Sequence, residues 1–424
     1  MTKIVITNYG SRMNKGDVAL LNSRIKTLKE FIPDAGFAVF TYHPEVDNKP
    51  EMKYLQDINI KFYDVPGRVG LSPRGILKTV TSIFKIFLYR IGLNTKLNET
   101  SGIQEYFDAD IIISTGGDVL TEDYGSPFSH FINLLFGILL NKPVVLYAES
   151  IGPFNKKWNK IITKFLFNRM SLITLREEIS RKHLKELGID KAPIYVTADS
   201  AFLLKPAPHQ TIEEIMLKEG IDKSNKRLIG VSVSKIIARY GFLGLKDNEG
   251  KYTKYINLMS KVVDYLIENL NATIIFVPHV IEPWGNDDRT VADDVINLVK
   301  NKDNCISIKR EYTAEEIKGI IGKCDLFIGA RMHATIASAS MLVPTIAIAY
   351  SHKTHGIIGK MLGQEKYAVD IKNLDYAALI SKIDDVYNNR DKIRKDLESK
   401  MDYVKERALL NAKLVRDLVV KEEH

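Results

Sequence analysis

Cysteine is scarce in this sequence: its 424 residues include only Cys305 and Cys324, which form no C-x-x-C pair. This excludes a small, disulfide-stapled secreted domain, which needs several cysteines to hold its fold. The first residues lead straight into a β-rich apolar stretch, without the charged start, apolar segment and small-residue cleavage site of a signal peptide. We therefore expect a protein that works in the reducing cytoplasm.

Long hydrophobic runs are missing as well. A membrane-spanning helix needs about 20 predominantly apolar residues, and the best candidate, Phe131–Leu140, is followed at once by Asn141, Lys142 and Pro143. No zinc-finger or RNA-binding signature is present, so nucleic acid is not an expected partner. The net charge of +8 is then explained by solvated helix faces, an anionic membrane surface or a phosphate-bearing substrate.

What the sequence does contain is an alternation of short β-branched runs and longer helical stretches, which is typical of α/β units with parallel sheets. The strand candidates are Lys3–Asn8, Phe37–Tyr42, Ile60–Asp64, Asp110–Thr115, Pro143–Ala148, Leu172–Leu175, Ile194–Thr197, Leu228–Val233, Thr273–Val277, Cys305–Ile308, Leu326–Gly329 and Thr345–Ala349. The segment KPAPH at Lys205–His209 interrupts the alternation. We predict two Rossmann-like domains facing a cleft: residues 1–205, a linker at 206–226, and residues 227–424, whose last helices could cross back.

In open α/β sheets ligands bind beyond the carboxyl ends of the strands, so polar residues that follow a strand are candidate site residues. Gly10–Asp17 follows the first strand, but its spacing is neither G-x-G-x-x-G nor a P-loop and by itself favours a helix-capping turn. Gly116–Asp118 follows a later strand, where two glycines either let the backbone approach a ligand or form a tight turn. Glu149 ends another strand and could bind sugar hydroxyls or donate a proton.

Cationic residues follow two further strands. Arg176 opens a helix, where the dipole disfavours a cation, so it indicates either an anionic partner or a salt bridge to Asp118, Asp199 or a nearby glutamate. Arg331 and His333 lie where a buried strand meets a small-residue helix. A guanidinium, an imidazole and free backbone amides at one junction suit phosphate or carboxylate.

The alternative for this junction is an ion pair between Arg331 and Asp325 beside a structural histidine. The next strand is followed by Tyr350–Gly356, which adds Lys353 and two more histidines. Few acidic residues lie near these histidines in sequence, and no histidine pair has i, i+4 spacing on a helix, so we expect no metal. The aspartates within 287–294 are interpreted as a solvated helix face.

Taken in order, these motifs resemble those of the polysaccharide pyruvyl transferase family, from about Asn8 to about Gly363. The matching segments are N-x-G-D-x-A at Asn14–Ala19, G-G-D at Gly116–Asp118, I-G-P at Ile151–Pro153, L-R-E at Leu175–Glu177, D-S-A-F at Asp199–Phe202, R-M-H at Arg331–His333 and Y-x-x-K-x-x-G at Tyr350–Gly356. Their shared order makes the resemblance specific. The chain departs from the family pattern in a longer loop before Asn14, in Glu149-Ser150 where Gln-Gly is common, and in His355 where an apolar residue is usual.

The resemblance implies a GT-B-like fold and transfer of pyruvate from phosphoenolpyruvate to a sugar as a ketal, without metal or organic cofactor. It places the acceptor on the first domain and phosphoenolpyruvate on the second. The roles it implies are catalysis by His333, Asp118 and Glu149, phosphoenolpyruvate binding by Arg331, Lys353 and Arg176, and acceptor binding by Asn14, Asp17 and Gly117. His333 is either the acid–base group or a phosphate contact, and Asp17 is a further candidate base.

Three other functions fit the same residues. A nucleotide-sugar glycosyltransferase of the same fold would use similar cations for a diphosphate. A nucleotide-sugar epimerase is a second alternative, and a non-catalytic sugar- or anion-binding protein is a third. Identifying the donor that the protein consumes, if it consumes one, would distinguish these functions from one another and from pyruvyl transfer.

The stretch 74–96 mixes large apolar residues with five cations and contains no acidic residue. As a helix it would gather Ile76, Val80, Ile83, Phe84 and Phe87 on one face. That face either packs on its own domain, as apolar helix faces usually do, or contacts an anionic membrane peripherally. The second interpretation would suit an enzyme whose acceptor is a lipid-linked glycan.

Overall fold

The apolar β-branched runs of the sequence form two parallel sheets. The computed structural model describes residues 1–49, 60–66, 73–92, 102–123, 125–222, 226–242 and 244–422. The strands are β1 Lys3–Tyr9, β2 Gly36–Thr41, β3 Lys61–Asp64, β4 Ile111–Ser114, β5 Gly117–Leu120, β6 Val144–Ile151, β7 Leu172–Leu175, β8 Ile194–Val196, β9 Arg227–Ser232, β10 Ala272–Phe276, β11 Ile281–Glu282, β12 Asn286–Asp287, β13 Cys305–Ser307, β14 Leu326–Gly329, β15 Thr345–Ala349 and β16 Ala368–Asp370.

Helices connect most of these strands. They are α1 Lys15–Phe31, α2 Pro44–Asp47, α3 Pro73–Arg90, α4 Ile103–Asp108, α5 Phe128–Leu139, α6 Lys157–Phe167, α7 Glu178–Glu186, α8 His209–Lys218, α9 Lys235–Tyr240, α10 Asn248–Leu270, α11 Asp288–Leu298, α12 Ala314–Ile321, α13 Met332–Ser340, α14 His352–Thr354, α15 Tyr376–Asn388 and α16 Arg390–Glu422. A π-helical segment, His355–Met361, follows α14. None of the described helices is long and apolar enough to cross a membrane.

The chain divides into two compact units. The first unit comprises residues 1–12, 20–200 and 406–424, and the second comprises residues 13–19 and 201–405. The sheet of the first unit has the order β3-β2-β1-β4-β6-β7-β8, with β5 beside β6, and that of the second has the order β13-β10-β9-β14-β15-β16. Both orders are those of a doubly wound sheet, so the prediction of an α/β protein with two Rossmann-like domains is confirmed.

Two features of this division concern the predicted domain limits. Residues 13–19, which follow β1, belong to the second unit, and residues 406–424 belong to the first. The segment 206–226, predicted as a linker, contains α8, whose Ile212 and Ile215 are buried in the core of the second unit. The prediction placed residues 13–19 in the first domain, whereas the structure groups them with the second unit.

Strand alternation determines how the first unit packs. Ile4 and Ile6 of β1 point into a core cluster on one face of the sheet, together with residues of α1 and α16. Val5 points into the cluster on the other face, which contains Ile86 of α3 and apolar residues of α4 to α7. This opposite pointing of successive side chains is what a two-residue period produces in a strand.

Candidate functional site

The switch point of a doubly wound sheet lies where the strand order reverses, and ligands bind there. In the second unit this point lies between β9 and β14. Arg331 and His333 come directly after β14 and at the start of α13. The structure therefore places two of the predicted site residues at the position where a sheet of this order binds its ligand.

Residues 13–19 join the same unit through backbone hydrogen bonds. Lys15 N donates to the carbonyl of His279 at 2.8 Å, and Ile281 N donates to the carbonyl of Met13 at 2.9 Å. Asn14 forms an antiparallel bridge with Val280. The side chain of Asn14 accepts a hydrogen bond from Gly16 N at 3.0 Å, which shapes the turn into α1. Asn14, predicted to bind the acceptor, is thus tied to the unit that holds Arg331.

The position of His333 explains why this turn contains a glycine at residue 16. A Cβ atom at Gly16 would lie 2.2 Å from Nδ1 of His333, much closer than a side chain can approach. The glycine therefore leaves the space that the imidazole occupies. The contact joins the N-x-G-D motif directly to the R-M-H motif.

Arg331 is held by a buried ion pair. Its Nη2 lies 2.7 Å from Oδ1 of Asp288 and donates to Asn286 at 2.9 Å, and the two side chains of the ion pair are only 12% and 2% exposed. Burial opposes the charge of Arg331, but the attraction and hydrogen bonds of Asp288 outweigh it, so the pKa of Arg331 is raised. The other carboxylate oxygen of Asp288 accepts hydrogen bonds from the backbone of His279 and Val280.

This pairing corrects the interpretation of the aspartates within 287–294 as a solvated helix face. Asp288 is buried and fixes both Arg331 and the segment after β10. Asp287 caps α11 and pairs with Arg289. A helix N-terminus explains why aspartates are enriched here, but the partner of Asp288 comes from a distant part of the chain.

His279 belongs to this group and was not predicted. It is buried, and burial lowers its pKa to about 3, helped by the positive charges of His333, Arg331 and Lys15. Among the described residues, its Nδ1 atom has no hydrogen-bond partner. The strand-end rule could have found it, because Val277-Pro278-His279 directly follows β10.

Lys353 is buried near Asp17. Burial lowers the pKa of Lys353 to about 7, and the carboxylate of Asp17 partly opposes that shift. The Nζ atom of Lys353 lies 4.9 Å from the centre of the Tyr350 ring, a cation–π distance. An amine with a pKa near neutrality can either bind an anion or exchange a proton.

His355, which stands where the family usually has an apolar residue, lies further along the same segment. Its Nδ1 is 2.6 Å from Oε1 of Glu365, and its Nε2 is 2.9 Å from Oδ1 of Asp370. Burial lowers its pKa, but the two carboxylates outweigh burial and raise it. The position therefore holds an ion pair that fastens the π-helical segment to β16.

The second unit brings together side chains and backbone groups that can bind an anion. Arg331, Lys353, His279 and His333 supply cations and imidazoles beside the N-terminus of α13, and Lys15, whose Nζ is paired with Glu311 at 2.9 Å, adds a further buried cation. A phosphate or carboxylate at this point would be stabilised by charge and by hydrogen bonds. Asp17 adds a carboxylate beside Lys353.

The remaining predicted site residues lie in the first unit. Glu149 is buried, accepts hydrogen bonds from the Ser114 hydroxyl at 2.6 Å and from Gly116 N at 3.1 Å, and has a raised pKa because of burial. Gly117 has a φ of +98°, which favours glycine. Asp118 is half-buried on β5.

Arg176 is fully buried in the first unit. Its Nη1 lies 2.6 Å from Asp199, and its Nε donates to Ser150 at 2.8 Å. The salt bridge to Asp199, one of the alternatives left open by the sequence, is therefore present. Another buried cation, Arg24, lies 4.6 Å from the centre of the Tyr147 ring and was not predicted.

Comparison with known proteins identifies a family and a relative that this chain resembles. The family model for polysaccharide pyruvyl transferase matches residues 14–352. The amylovoran biosynthesis protein AmsJ of Erwinia amylovora is 25% identical over 430 residues, which covers 98% of this chain and 99% of that protein.

Solved structures share the fold at low identity. The UDP-GlcNAc 2-epimerase of Neisseria meningitidis, bound to UDP-GlcNAc, has a TM-score of 0.63 and 12% identity, over 99% of this chain and 100% of that one. Alr3699/HepE of Anabaena, in complex with UDP-glucose, has a TM-score of 0.59 and 11% identity over the whole of both chains. The architecture of this chain is thus GT-B-like.

Proposed function

The chain belongs to the polysaccharide pyruvyl transferase family, and from that membership we propose that it transfers a pyruvyl group from phosphoenolpyruvate to a sugar of a cell-surface glycan or its lipid-linked precursor. The product is a pyruvate ketal. The observation that carries the proposal is the grouping in the second unit of Arg331 and His279 on Asp288, with His333 against the turn at Gly16. The similarity to a biosynthesis protein of another polysaccharide supports a glycan as the acceptor.

The reaction has two steps. A proton is added to the methylene carbon of phosphoenolpyruvate, and a sugar hydroxyl oxygen forms a bond to the neighbouring carbon while a base takes its proton. A second hydroxyl oxygen then bonds to the same carbon, and the carbon–oxygen bond to phosphate breaks. Phosphate leaves with its bonding electron pair and takes up the second hydroxyl proton. The reaction needs cations for phosphate and carboxylate, an acid and a base.

We assign the acid–base role to His333 and donor binding to Arg331 and Lys353. His333 stands at the start of α13 and against Gly16, which fixes its position. Asp17, beside Lys353, is a candidate base for the acceptor hydroxyl, and Asn14 precedes it in the same turn.

In the first unit, we assign Asp118, Glu149 and Gly117 to the acceptor. The raised pKa of Glu149 suits a carboxyl that holds or exchanges a proton. Arg176, with its buried ion pair to Asp199, supports the end of β7 in the same unit. We place the reaction in the cytoplasm, and it needs no metal or organic cofactor.

The test of the proposed function is donor consumption. The protein is incubated with phosphoenolpyruvate and lipid-linked sugar acceptors, and released phosphate and the acceptor mass are measured. We expect phosphate release that depends on the acceptor, together with an acceptor that has gained a pyruvyl group. Phosphoenolpyruvate left unconsumed by every acceptor, with saturable sugar binding, would instead indicate a non-catalytic binding protein.

A nucleotide-sugar donor is the second candidate, because solved structures with this architecture hold UDP or UDP-sugars. At 11–12% identity those structures support the fold alone. The same incubation with nucleotide sugars separates the candidates. Acceptor-dependent nucleotide release, without phosphate release from phosphoenolpyruvate, would favour the glycosyltransferase, and conversion of the nucleotide sugar without an acceptor would favour the epimerase.

Gly16→Ala is expected to lower turnover about tenfold without unfolding the protein. The new methyl group would overlap His333, and a displacement of a catalytic group by about 1 Å is enough for such a loss. Because the overlap is with a side chain rather than with backbone, a change of the His333 rotamer can relieve it and the fold survives. Turnover is measured with saturating phosphoenolpyruvate.

The matched control for this change is Gly244→Ala, because a Cβ at Gly244 meets nothing within 4 Å. It should leave turnover unchanged. Equal turnover of Gly16→Ala and the wild type would show that the position of His333 against the N-x-G-D turn does not matter for the reaction.

Lys353 is expected to make donor binding depend on pH. Its pKa is lowered to about 7 in the free protein, and a bound dianion favours the charged form, so binding raises that pKa. The affinity for phosphoenolpyruvate is then highest below about pH 7 and falls up to about tenfold per pH unit above it. Isothermal titration calorimetry across this range measures the fall.

The comparison variant is Lys353→Arg, whose guanidinium stays charged throughout. The ratio of the wild-type affinity to the Lys353→Arg affinity should fall as the pH rises. Parallel profiles for the two proteins would contradict a titrating amine at the donor.

A further inference from the structure

Helix α3 exposes the side that its composition would normally bury. Its buried positions are Gly75, Thr79, Ser82 and Ile86. Its exposed large apolar side chains are Ile76, Leu77, Val80, Ile83, Phe84 and Phe87. The two phenylalanines are each 59% exposed. The alternative that this face packs on its own domain is therefore wrong, since small and polar side chains make most of that contact instead.

Helix α6 also exposes large apolar residues, although it buries Leu166 and Phe167 in the core. Asn159 and Thr163 are buried, while Trp158, Ile161 and Phe165 are exposed, with Trp158 at 75%. The exposed residues follow a spacing of three and four and so lie on one side of the helix. Two separate helices thus present large apolar residues to solvent.

The two helices belong to one face of the first unit. Both contact α5, and Ile86 of α3, Phe131 of α5 and Leu166 of α6 share one core cluster. The start of α5 also exposes Phe128. We call the exposed apolar side chains of α3, α5 and α6 the α3–α6 face. Groups of exposed large apolar side chains on neighbouring helices are typical of interaction sites.

The charges carried by the helices of the α3–α6 face have one sign, although Asp64 pairs with Lys78 of α3 and Glu122 accepts hydrogen bonds at the start of α6. The sequences of α3, α5 and α6 contain no aspartate or glutamate. Their exposed cations include Arg90 on α3 and Lys157, Lys160 and Lys164 on α6. Cations bordering large apolar residues match the interface of a bilayer with anionic headgroups, where apolar side chains enter the acyl boundary and cations stay at the headgroups.

We propose that the α3–α6 face docks this protein peripherally on an anionic lipid bilayer. A second copy of the chain is a poorer occupant, because a symmetric contact would bring the cations of both copies into one interface to which α3, α5 and α6 supply no carboxylate. The proposal is independent of the proposed function. If both hold, docking brings the enzyme to lipid-linked acceptors, which lie in the same surface.

Vesicle co-sedimentation tests the proposal with the full chain. The wild type is expected to pellet with vesicles of phosphatidylcholine and phosphatidylglycerol at low salt, to bind less in high salt, and to stay in solution with phosphatidylcholine alone. Phe84→Ser/Phe87→Ser and Trp158→Ser/Phe165→Ser should each lower the partition coefficient at least about tenfold, because each removes two large apolar side chains from the interface.

The matched control for these variants is Leu217→Ser/Tyr403→Ser, which removes two exposed apolar residues of the second unit. It should bind vesicles like the wild type. A second comparison sets Lys160→Gln/Lys164→Gln on α6 against Lys392→Gln/Lys395→Gln on α16. Only the α6 variant should weaken vesicle binding. Circular dichroism checks that each variant is folded.

Three results would overturn the proposal. The first is a wild type that stays in the supernatant with anionic vesicles at low salt. The second is vesicle binding that the α3 and α6 variants retain while folded. The third is a wild-type dimer, seen by analytical ultracentrifugation, that these variants convert to a monomer without any vesicle binding, which would make the α3–α6 face a contact between copies. None of these results depends on pyruvyl transfer.

Discussion

His333→Gln is expected to lower turnover by about two to four orders of magnitude, the range that a positioned acid–base group contributes. Glutamine keeps a hydrogen-bonding side chain of similar reach but cannot exchange a proton near neutral pH. Phosphoenolpyruvate affinity should change only a few-fold, because Arg331 and Lys353 retain their charges. Single-turnover kinetics and calorimetry measure the two quantities separately.

The matched control is His209→Gln on α8, whose side chain is 77% exposed, and it should leave both quantities unchanged. A loss of donor affinity alone in His333→Gln would make His333 a phosphate contact rather than the acid–base group. Full turnover in a folded variant would exclude both roles. The buried amine of Lys353 would then be the next candidate for the proton donor, since its pKa is lowered to about 7.

The fold could be predicted from the sequence because its strongest signals are local. Buried parallel strands are continuous apolar runs, and the predicted limits of β7 and β14 agree with the structure to the residue. The strands that were not predicted, β5, β11, β12 and β16, are two to four residues long. Unlike the equally short β7 and β14, β5 and β16 contain an aspartate and no continuous apolar run, and β5 begins at the positive-φ turn of Gly116 and Gly117.

The candidate site could be predicted in part for the same reason. Arg331, His333 and Lys353 each follow a strand, which is a position that sequence can locate. The partner of Arg331 could not be named, because Asp288 lies on another helix and the only partner considered from the sequence was the nearby Asp325. The Gly16–His333 contact is similarly a product of tertiary packing, since the two residues are far apart in the sequence.

Helix α3 shows a different limit. The pattern of apolar residues in the stretch 74–96 is that of an amphipathic helix, and α3 covers Pro73–Arg90, while residues 93–96 lie outside the described residues. A pattern cannot say which side of a helix is covered, because that depends on the neighbours. Only the structure shows Ser82 facing inward and Phe84 facing solvent.

Arg331→Ala is expected to weaken phosphoenolpyruvate binding about tenfold to a hundredfold. A hydrogen bond to a charged group contributes about 1.5–3 kcal/mol, and alanine removes both the charge and the donor fork. Activity at subsaturating donor should fall by at least tenfold. The variant also leaves Asp288 as a buried carboxylate without its cation, which costs about 3–5 kcal/mol of stability. A loss of activity by itself would therefore not separate binding from folding.

The double variant Arg331→Ala/Asp288→Asn makes that separation. The neutral asparagine can still accept hydrogen bonds from the backbone of His279 and Val280 but no longer needs a cation, so the free energy of unfolding should recover most of the loss. Donor affinity should stay low, because the guanidinium is still absent. Arg289→Ala, which removes a neighbouring arginine paired with Asp287, is the matched control and should bind phosphoenolpyruvate normally. If the double variant regains stability and donor affinity together, Arg331 acts only through the fold and does not contact the donor.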